Sequence, residues 1–449
     1  MAPCGDDERR QITMANKLAD LLEELTDPDD ATREEAAQAL VGLANPAATD
    51  ALIEALQDDY WSVRMYAGHA LARIGGPKAI EALVPMLGDA IKDCRDGAVD
   101  DFATLGAPSV ERLVAALRDE RWRVRESAAK ALGLLKDQRS VDGLVATLRD
   151  RDGSVRTIAA EALGRIGDPK AIKGLMALFR DSSKLVRVAA TIALMQIGEA
   201  TVDPLMEGLK DEDFQVRLHC VQALGGITSD YPTGRSWLRD SKPVPALIGL
   251  LTDKDRAVRE DAAIALGMIG DPSAVPALIE AMQDGSIRVR AIMALGMIAD
   301  PRAVEPLIRV LDGIGINLKG TPMPGCIVSE EWFIREQAAL ALGHINDLRS
   351  VSALCQALKD TRLREKAAQA LIELGPQVID QLVDFINDPG ASQTEQLSDR
   401  VLAFATNRLD AASSLRNLVM DILVQLGWTP PEETTAGESD KATADDAKK

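Results

Sequence analysis

An aspartate followed six residues later by an arginine, most often preceded by valine, recurs along the whole of this 449-residue chain. The pairs are Asp27/Arg33, Asp58/Arg64, Asp89/Arg95, Asp119/Arg125, Asp150/Arg156, Asp181/Arg187, Asp211/Arg217, Asp253/Arg259 and Asp410/Arg416. In two shortened turns Asp284 and Asp360 stand four residues before Arg288 and Arg364, and Ser329 takes the place of the acid before Arg335. A row of carboxylates beside guanidinium groups could hold a metal or do acid–base work. Repetition points the other way, because an active site needs one special constellation and a pair copied into nearly every unit is a device of the scaffold. A carboxylate placed there can accept backbone N–H bonds at a helix start, and the arginine can reach the turn of the neighbouring unit. These residues are therefore read as a structural ladder.

The other reactive side chains form no constellation. His69, His219 and His344 are followed by Ala70, Cys220 and Ile345 and stand five, two and nine residues after their arginine, so they face different directions. Metal sites need convergent ligand sets, and none is expected here. Cys4, Cys94, Cys220, Cys326 and Cys355 are odd in number, scattered and free of Cys-x-x-Cys pairs. That usage fits thiols packed as small hydrophobes in a reducing cytoplasm. Gly315…Lys319-Gly320-Thr321 lacks the order of a phosphate-binding loop and follows no strand. No catalytic residue and no cofactor are expected.

The elements that carry the ladder are helices. Seven residues after each arginine comes Leu40, Leu71, Phe102, Leu132, Leu163, Leu194, Leu224, Leu266, Leu295, Leu342, Leu371 or Leu423, and the undisturbed period is 29–31 residues. Such a period marks a helical array. Each copy resolves into two helices. The first is often opened by proline, as at Pro77 and Pro272, where the first helical residue needs no N–H partner. The second is expected to begin at Val-Arg and to end at a glycine such as Gly75, Gly106, Gly167, Gly198, Gly270 or Gly375. Small residues three after the arginine, Ala128 and Ala159 among them, allow close helix approach. One hairpin cannot bury both apolar faces, so neighbours must stack.

The repeats resemble HEAT repeats, specifically the short kind found in phycobilisome-lyase-like proteins, over roughly residues 18–427. The resemblance implies an all-α fold: a right-handed α-α superhelix, or HEAT-like solenoid, of about twelve helical hairpins. The expected organisation is an N-terminal segment 1–17, a solenoid 18–428 and a disordered acidic tail 429–449. Three insertions interrupt it, at 228–242, 312–333 and 387–414, the last with enough helical pattern for an extra helix. Long loops of this kind are commonly functional.

Composition agrees with a scaffold. Hydrophobic residues make up 46% and aromatics only 3%, so helix contacts are built from Ala, Leu, Ile and Val. Net charge is −19 and the isoelectric point about 4.7, which disfavours a nucleic-acid partner. No run of eighteen apolar residues exists, so membrane insertion is not expected.

The few aromatics cluster at one register. Trp61, Trp122, Phe214 and Trp332 each stand three residues before the repeat arginine, with Tyr60 and Phe333 beside two of them. They read either as staples packing a turn on the next repeat or as anchors for an extended protein partner, closed over by the 312–333 loop. The fold serves many tasks, so function must come from such departures. A non-catalytic protein-binding scaffold in the cytoplasm is the leading expectation. Resemblance to phycobilisome lyases implies, as an alternative, a factor that attaches or detaches bilin chromophores. The solenoid also resembles deoxyhypusine hydroxylase, a di-iron HEAT enzyme whose metal is held by repeated His-Glu pairs; this chain has no His-Glu pair, which disfavours that oxidoreductase activity.

Overall fold

The computed structural model describes residues 16–227, 238, 241–314, 330–387 and 415–428. All regular structure among them is helical. The chain divides into two compact units, Met1–Ala246 and Leu247–Lys449.

The first unit holds seven helical hairpins. Its second helices are Asp30–Leu43, Trp61–Ile74, Lys92–Leu105, Trp122–Leu135, Gly153–Ile166, Lys184–Ile197 and Phe214–Gly225. Each is preceded by a shorter first helix: 16–24, Thr49–Ala55, Pro77–Leu83, Val110–Ala116, Val141–Thr147, Ile172–Ala177 and Val202–Gly208. The second unit continues the pattern through the second helices Arg256–Ile269, Arg288–Ile298, Glu330–Ile345, Arg364–Glu373 and Leu415–Gln425. Each unit is an all-α stack of helical hairpins, as expected of a HEAT-like solenoid.

Local chemistry explains the boundaries. Many first helices are entered through a single 3-10 turn with proline in its first position, as at Pro46 and Pro169, capped by the side chains of Asn45 and Asp168. Most second helices start two residues earlier than the Val-Arg start expected from sequence. The reason is a cap: Asp29, Asp152, Asp213 and Asp255 accept the N–H of Thr32, Ser154, Gln215 and Ala257, satisfying donors a helix end would leave unpaired. The ladder aspartate sits just outside this cap and holds the turn leading into it. Helix ends close in the left-handed region, at Gly167 (φ 75°) and Gly270 (φ 76°) for example; Ala44, Lys136, Ala299 and Asn346 adopt positive φ where no glycine is available.

Within each unit the second helices pack on one another in sequence. The residue seven after each arginine is the centre of this layer, and Leu71, Phe102, Leu132, Leu163 and Leu266 are fully buried. The closest approach comes one residue later. A Cβ on Gly267 would lie 2.7 Å from the Cα of Ala294 on the next second helix. Only glycine lets the two backbones meet at that distance.

The insertions are mostly outside the described residues: 228–237, 239–240, 315–329 and 388–414, together with 1–15 and 429–449. The extra helix expected within 387–414 and the tail expected from 429 therefore lie outside them. One boundary is corrected. Glu330–Ile345 is a helix, so Trp332 and Phe333 belong to a second helix and not to the insertion that was expected to run to 333. Glu331 places a carboxylate in the first turn, where the helix dipole favours it.

Candidate protein-binding edge

The turn before each second helix carries both the ladder and the aromatic residues, and the ladder fixes its shape. Its typical arginine grips two repeats. Arg125 donates from Nε and Nη2 to both carboxylate oxygens of Asp150 in the next repeat, at 2.6 and 2.8 Å. Its Nη1 donates to the carbonyls of Asp119 and Glu120 in its own turn, each at 2.9 Å. Asp150 also accepts the N–H of Asp152. Equivalent rungs join Arg33 to Asp58, Arg64 to Asp89 and Arg156 to Asp181. In the second unit Arg259 reaches Asp284 at 3.4 Å and Arg335 reaches Asp360 at 3.7 Å. Burial alone would raise the Asp150 pKa, but the Arg125 fork and the Asp152 N–H hold its carboxyl below the usual range. The arginines thus do reach the neighbouring turn, while the aspartates hold their own turn instead of capping the helix.

Two rungs of the first unit are altered. Asp119 is engaged by Arg121 of its own turn, and Arg95 bonds the carbonyls of Asp89 and Ala90. Asp211 is taken by Arg180, and Arg187 instead donates to Nε2 of His219 at 3.3 Å. His219 is buried, stacked on Phe179 at 5.4 Å between ring centres, with Nδ1 3.2 Å from Thr191 Oγ1. Burial and the adjacent Arg187 lower its pKa to about 4, so it is neutral at physiological pH.

Arg217, the ladder arginine of the same repeat, keeps the grip on its own turn. Arg217 is buried, as Arg125 is, whereas Arg33, Arg64 and Arg156 stay partly open to solvent. Its Nη1 donates to the carbonyls of Asp211 and Glu212 in its own turn, at 2.8 and 3.0 Å. A guanidinium can be withdrawn from water there because fixed carbonyl oxygens replace its hydration.

The histidines are scattered, as their offsets implied, but two have carboxylate partners in the next repeat that sequence offsets did not disclose. His69 Nδ1 lies 2.6 Å from Asp101 Oδ1, and His344 Nε2 lies 3.6 Å from Glu373. The hydrogen bond to Asp101 raises the His69 pKa, while burial raises that of Asp101. The pairing could have been suspected from Asp101 itself, a charged residue directly before the core position Phe102. Among the described residues no group of three or more His, Cys, Asp or Glu could hold a metal ion. Cys94, Cys220 and Cys355 are buried free thiols, pushed up to about 11, 12 and 12 by burial first of all.

The aromatics occupy the first turn of their helices. Trp61, Trp122 and Phe214 are each the first residue of a second helix, and Trp332 is the third residue of its own. The relative exposures are 36% for Tyr60, 38% for Trp122, 39% for Phe214 and 49% for Phe333, while Trp61 and Trp332 are half-buried. Arg123 covers one face of Trp122 at 4.9 Å. Trp332 is different: Arg335 of its own helix and Arg362 of the next repeat lie over its ring, at 4.9 and 4.7 Å. A ring held by two guanidinium groups is packing between repeats. In the first unit Tyr60, Trp122 and Phe214 leave rings open to solvent, with Trp61 half-buried beside Tyr60.

Sequence reasoning also passed over a row of cations. Arg118, Arg149 and Arg180 each directly precede a ladder aspartate, 31 residues apart, followed by Lys210; all four are exposed. Among the described residues no single helix is long and apolar enough to cross a membrane.

The known proteins agree on the fold. The sequence pattern described as HEAT repeats matches residues 18–103, 92–157, 110–195, 141–225, 174–242 and 202–291. That described as the PBS lyase HEAT-like repeat matches 287–313 and 334–360. No curated protein matches the sequence. Among solved structures, Kap121p bound to Nup53p superposes with a TM-score of 0.58 at 16% identity, covering 92% of this chain and 49% of that one. Kap121p bound to the extreme C-terminus of the protein phosphatase Cdc14p gives 0.59 at 16%, with the same coverage. Importin beta gives 0.50 at 15%, covering 90% of this chain and 62% of that one. The chain spans about half the length of the Kap121p chains it matches, and at these identities the likeness is one of fold. With matched HEAT repeats running through more than half of its length, the chain belongs to the HEAT-repeat family.

Proposed function

We propose that this chain is a cytoplasmic protein-binding scaffold that holds an extended partner along the turn edge of its first unit, through Trp122 and Phe214 with Tyr60 and Trp61. The observation that carries the reading is the open register of rings in a chain with only 3% aromatics. Aromatic side chains are the common anchors of protein interfaces. Kap121p, of the same fold, is seen bound to Nup53p and to Pho4p, which is in keeping with this use of the architecture. Phe333 offers a further exposed ring in the second unit; Trp332 is assigned to packing.

The test is Trp122→Ala. An anchor buried by a partner contributes about 2 kcal/mol or more of binding. The variant should keep its melting temperature and lose capture of the native partner from lysate. Melting of the fold by this substitution, or unchanged capture, would remove the ring from the binding edge.

A further inference from the structure

Repeats four to six are a basic island in an acidic chain. Residues 107–198 carry 17 Lys and Arg against 11 Asp and Glu, a balance of +6 that leaves −25 for the rest of a chain of net charge −19. Part of the surplus lies along the first helices and their ends, at Arg112, Arg118, Arg139, Arg149, Lys170, Lys173 and Arg180. A groove of about 380 Å³ between Val110–Ala116 and Val141–Thr147 has Val114 and Leu117 in its floor and Arg118, Arg139 and Arg149 on its rim. A second groove of about 750 Å³ lies between Ile172–Ala177 and Val202–Gly208, with Ile172 and Met176 below Lys170, Lys173, Arg180 and Lys210.

Some of this charge is neutralised within the chain. Arg139 pairs with Asp137, Arg180 with Asp211, and Lys210 with Glu207. Arg118, Arg149, Lys170 and Lys173 make no ion pair among the described residues, and Asp142 is the one carboxylate of the two grooves that is likewise unpaired among them.

We propose that this first-helix edge of repeats four to seven docks an acidic, partly apolar segment of a protein partner in extended form. It deepens the scaffold reading by naming the chemistry of a partner, and rests on that reading's premise that the chain binds protein. Charge complementarity selects the occupant, since free cations rim the grooves and apolar side chains floor them. A long nucleic acid fits poorly: it has no apolar side chains for the floors, and the −25 on the rest of the chain repels it. Neighbouring first helices stack about 8–10 Å apart, and an extended chain rises about 3.3 Å per residue. An acid at about every third residue therefore keeps step with Arg118, Arg149 and Arg180.

The experiment is fluorescence anisotropy on the full chain with three labelled probes. They are a peptide of about twelve residues bearing Glu at every third position with Leu and Ser between, the same peptide with Lys for Glu, and an oligo-uridine of similar length. The Glu peptide should bind, weaken as salt rises from about 50 to about 300 mM, and lose roughly tenfold or more in affinity on R118E/R149E. The milder R118Q/R149Q pair should lose less, and circular dichroism should be unchanged in both because the side chains are exposed. Equal binding of the Lys peptide, unchanged binding by R118E/R149E, or tighter binding of the oligo-uridine would overturn the proposal. Trp122→Ala separates the two ideas: if it leaves Glu-peptide binding intact but abolishes capture of the native partner, the edges are independent. If it leaves both intact, the aromatic edge falls and this one stands.

Discussion

Removing Arg125 tests the physical account of the ladder. Arg125→Ala deletes four hydrogen bonds at 2.6–2.9 Å and strands a carboxylate whose side chain is only 10% exposed, against 6% for the arginine. Breaking a buried ion pair from one side typically costs about 3–5 kcal/mol. Asp150 keeps the Asp152 N–H and some water contact, so the expected loss is about 2–4 kcal/mol. A stacked array couples mainly nearest neighbours, and amide exchange should therefore lose protection in repeats four and five and little elsewhere. Asp150→Ala alone should be comparably harmful, and the double variant should fall short of the sum by about 1–3 kcal/mol. The pH dependence has a definite sign. Because the folded Asp150 carboxyl is held below its unfolded value of about 3.9, the stabilisation is complete above that value and is lost as pH falls through the depressed one. The gap between wild type and Arg125→Ala should be widest at neutral pH and narrow below about pH 4. A loss under about 0.5 kcal/mol, or exchange changes spread evenly along the chain, would show that the rungs are surface decoration.

Three further outcomes are expected. Gly267→Ala would drive a Cβ to 2.7 Å from Ala294 Cα, and overpacking of that kind costs about 1–3 kcal/mol despite the helix propensity gained; an unchanged melting temperature would mean the helices separate freely. Buried His219, lowered to about 4, is protonated in the unfolded chain below about 6.5 but not in the fold, so stability should decline between pH 6.5 and 4 by a contribution of order 3 kcal/mol, and His219→Gln should flatten that slope in urea titrations. Cys94, Cys220 and Cys355 should resist iodoacetamide at pH 8 in the native protein and react only on unfolding, as mass spectrometry would read; rapid native labelling at any of them would contradict their burial.

The spacing of Arg and Leu determined the architecture without help. A register of Arg125, Ala128 and Leu132 copied every 29–31 residues can bury its apolar face only by stacking copies, so the hairpins, their order and the central leucine layer were legible. Capping acids and helix-closing glycines are local signals too, which is why most helix ends fell close to their expected places. Tertiary structure alone decided who partners whom across repeats. Arg125 takes Asp150, 25 residues on, while Arg187 gives up Asp211 for His219 because Arg180 has claimed that acid. Arg217 has the same motif around it as Arg156, yet it is buried and Arg156 is not. Identical motifs thus have different fates, set by side chains that meet only in three dimensions. The same holds for the aromatic register: one spacing in sequence yields an open Trp122 and a Trp332 clasped by two guanidinium groups, because only the latter has Arg362 facing it from the next repeat. Net charge misled in a similar way. A total of −19 says nothing about where charge lies; the surplus in 107–198 can be counted in the sequence, but only stacking brings Arg118 and Arg149 to the rim of one groove. Periodicity fixes what each repeat buries, whereas exposure and pairing at its edges depend on the neighbour that packs against it.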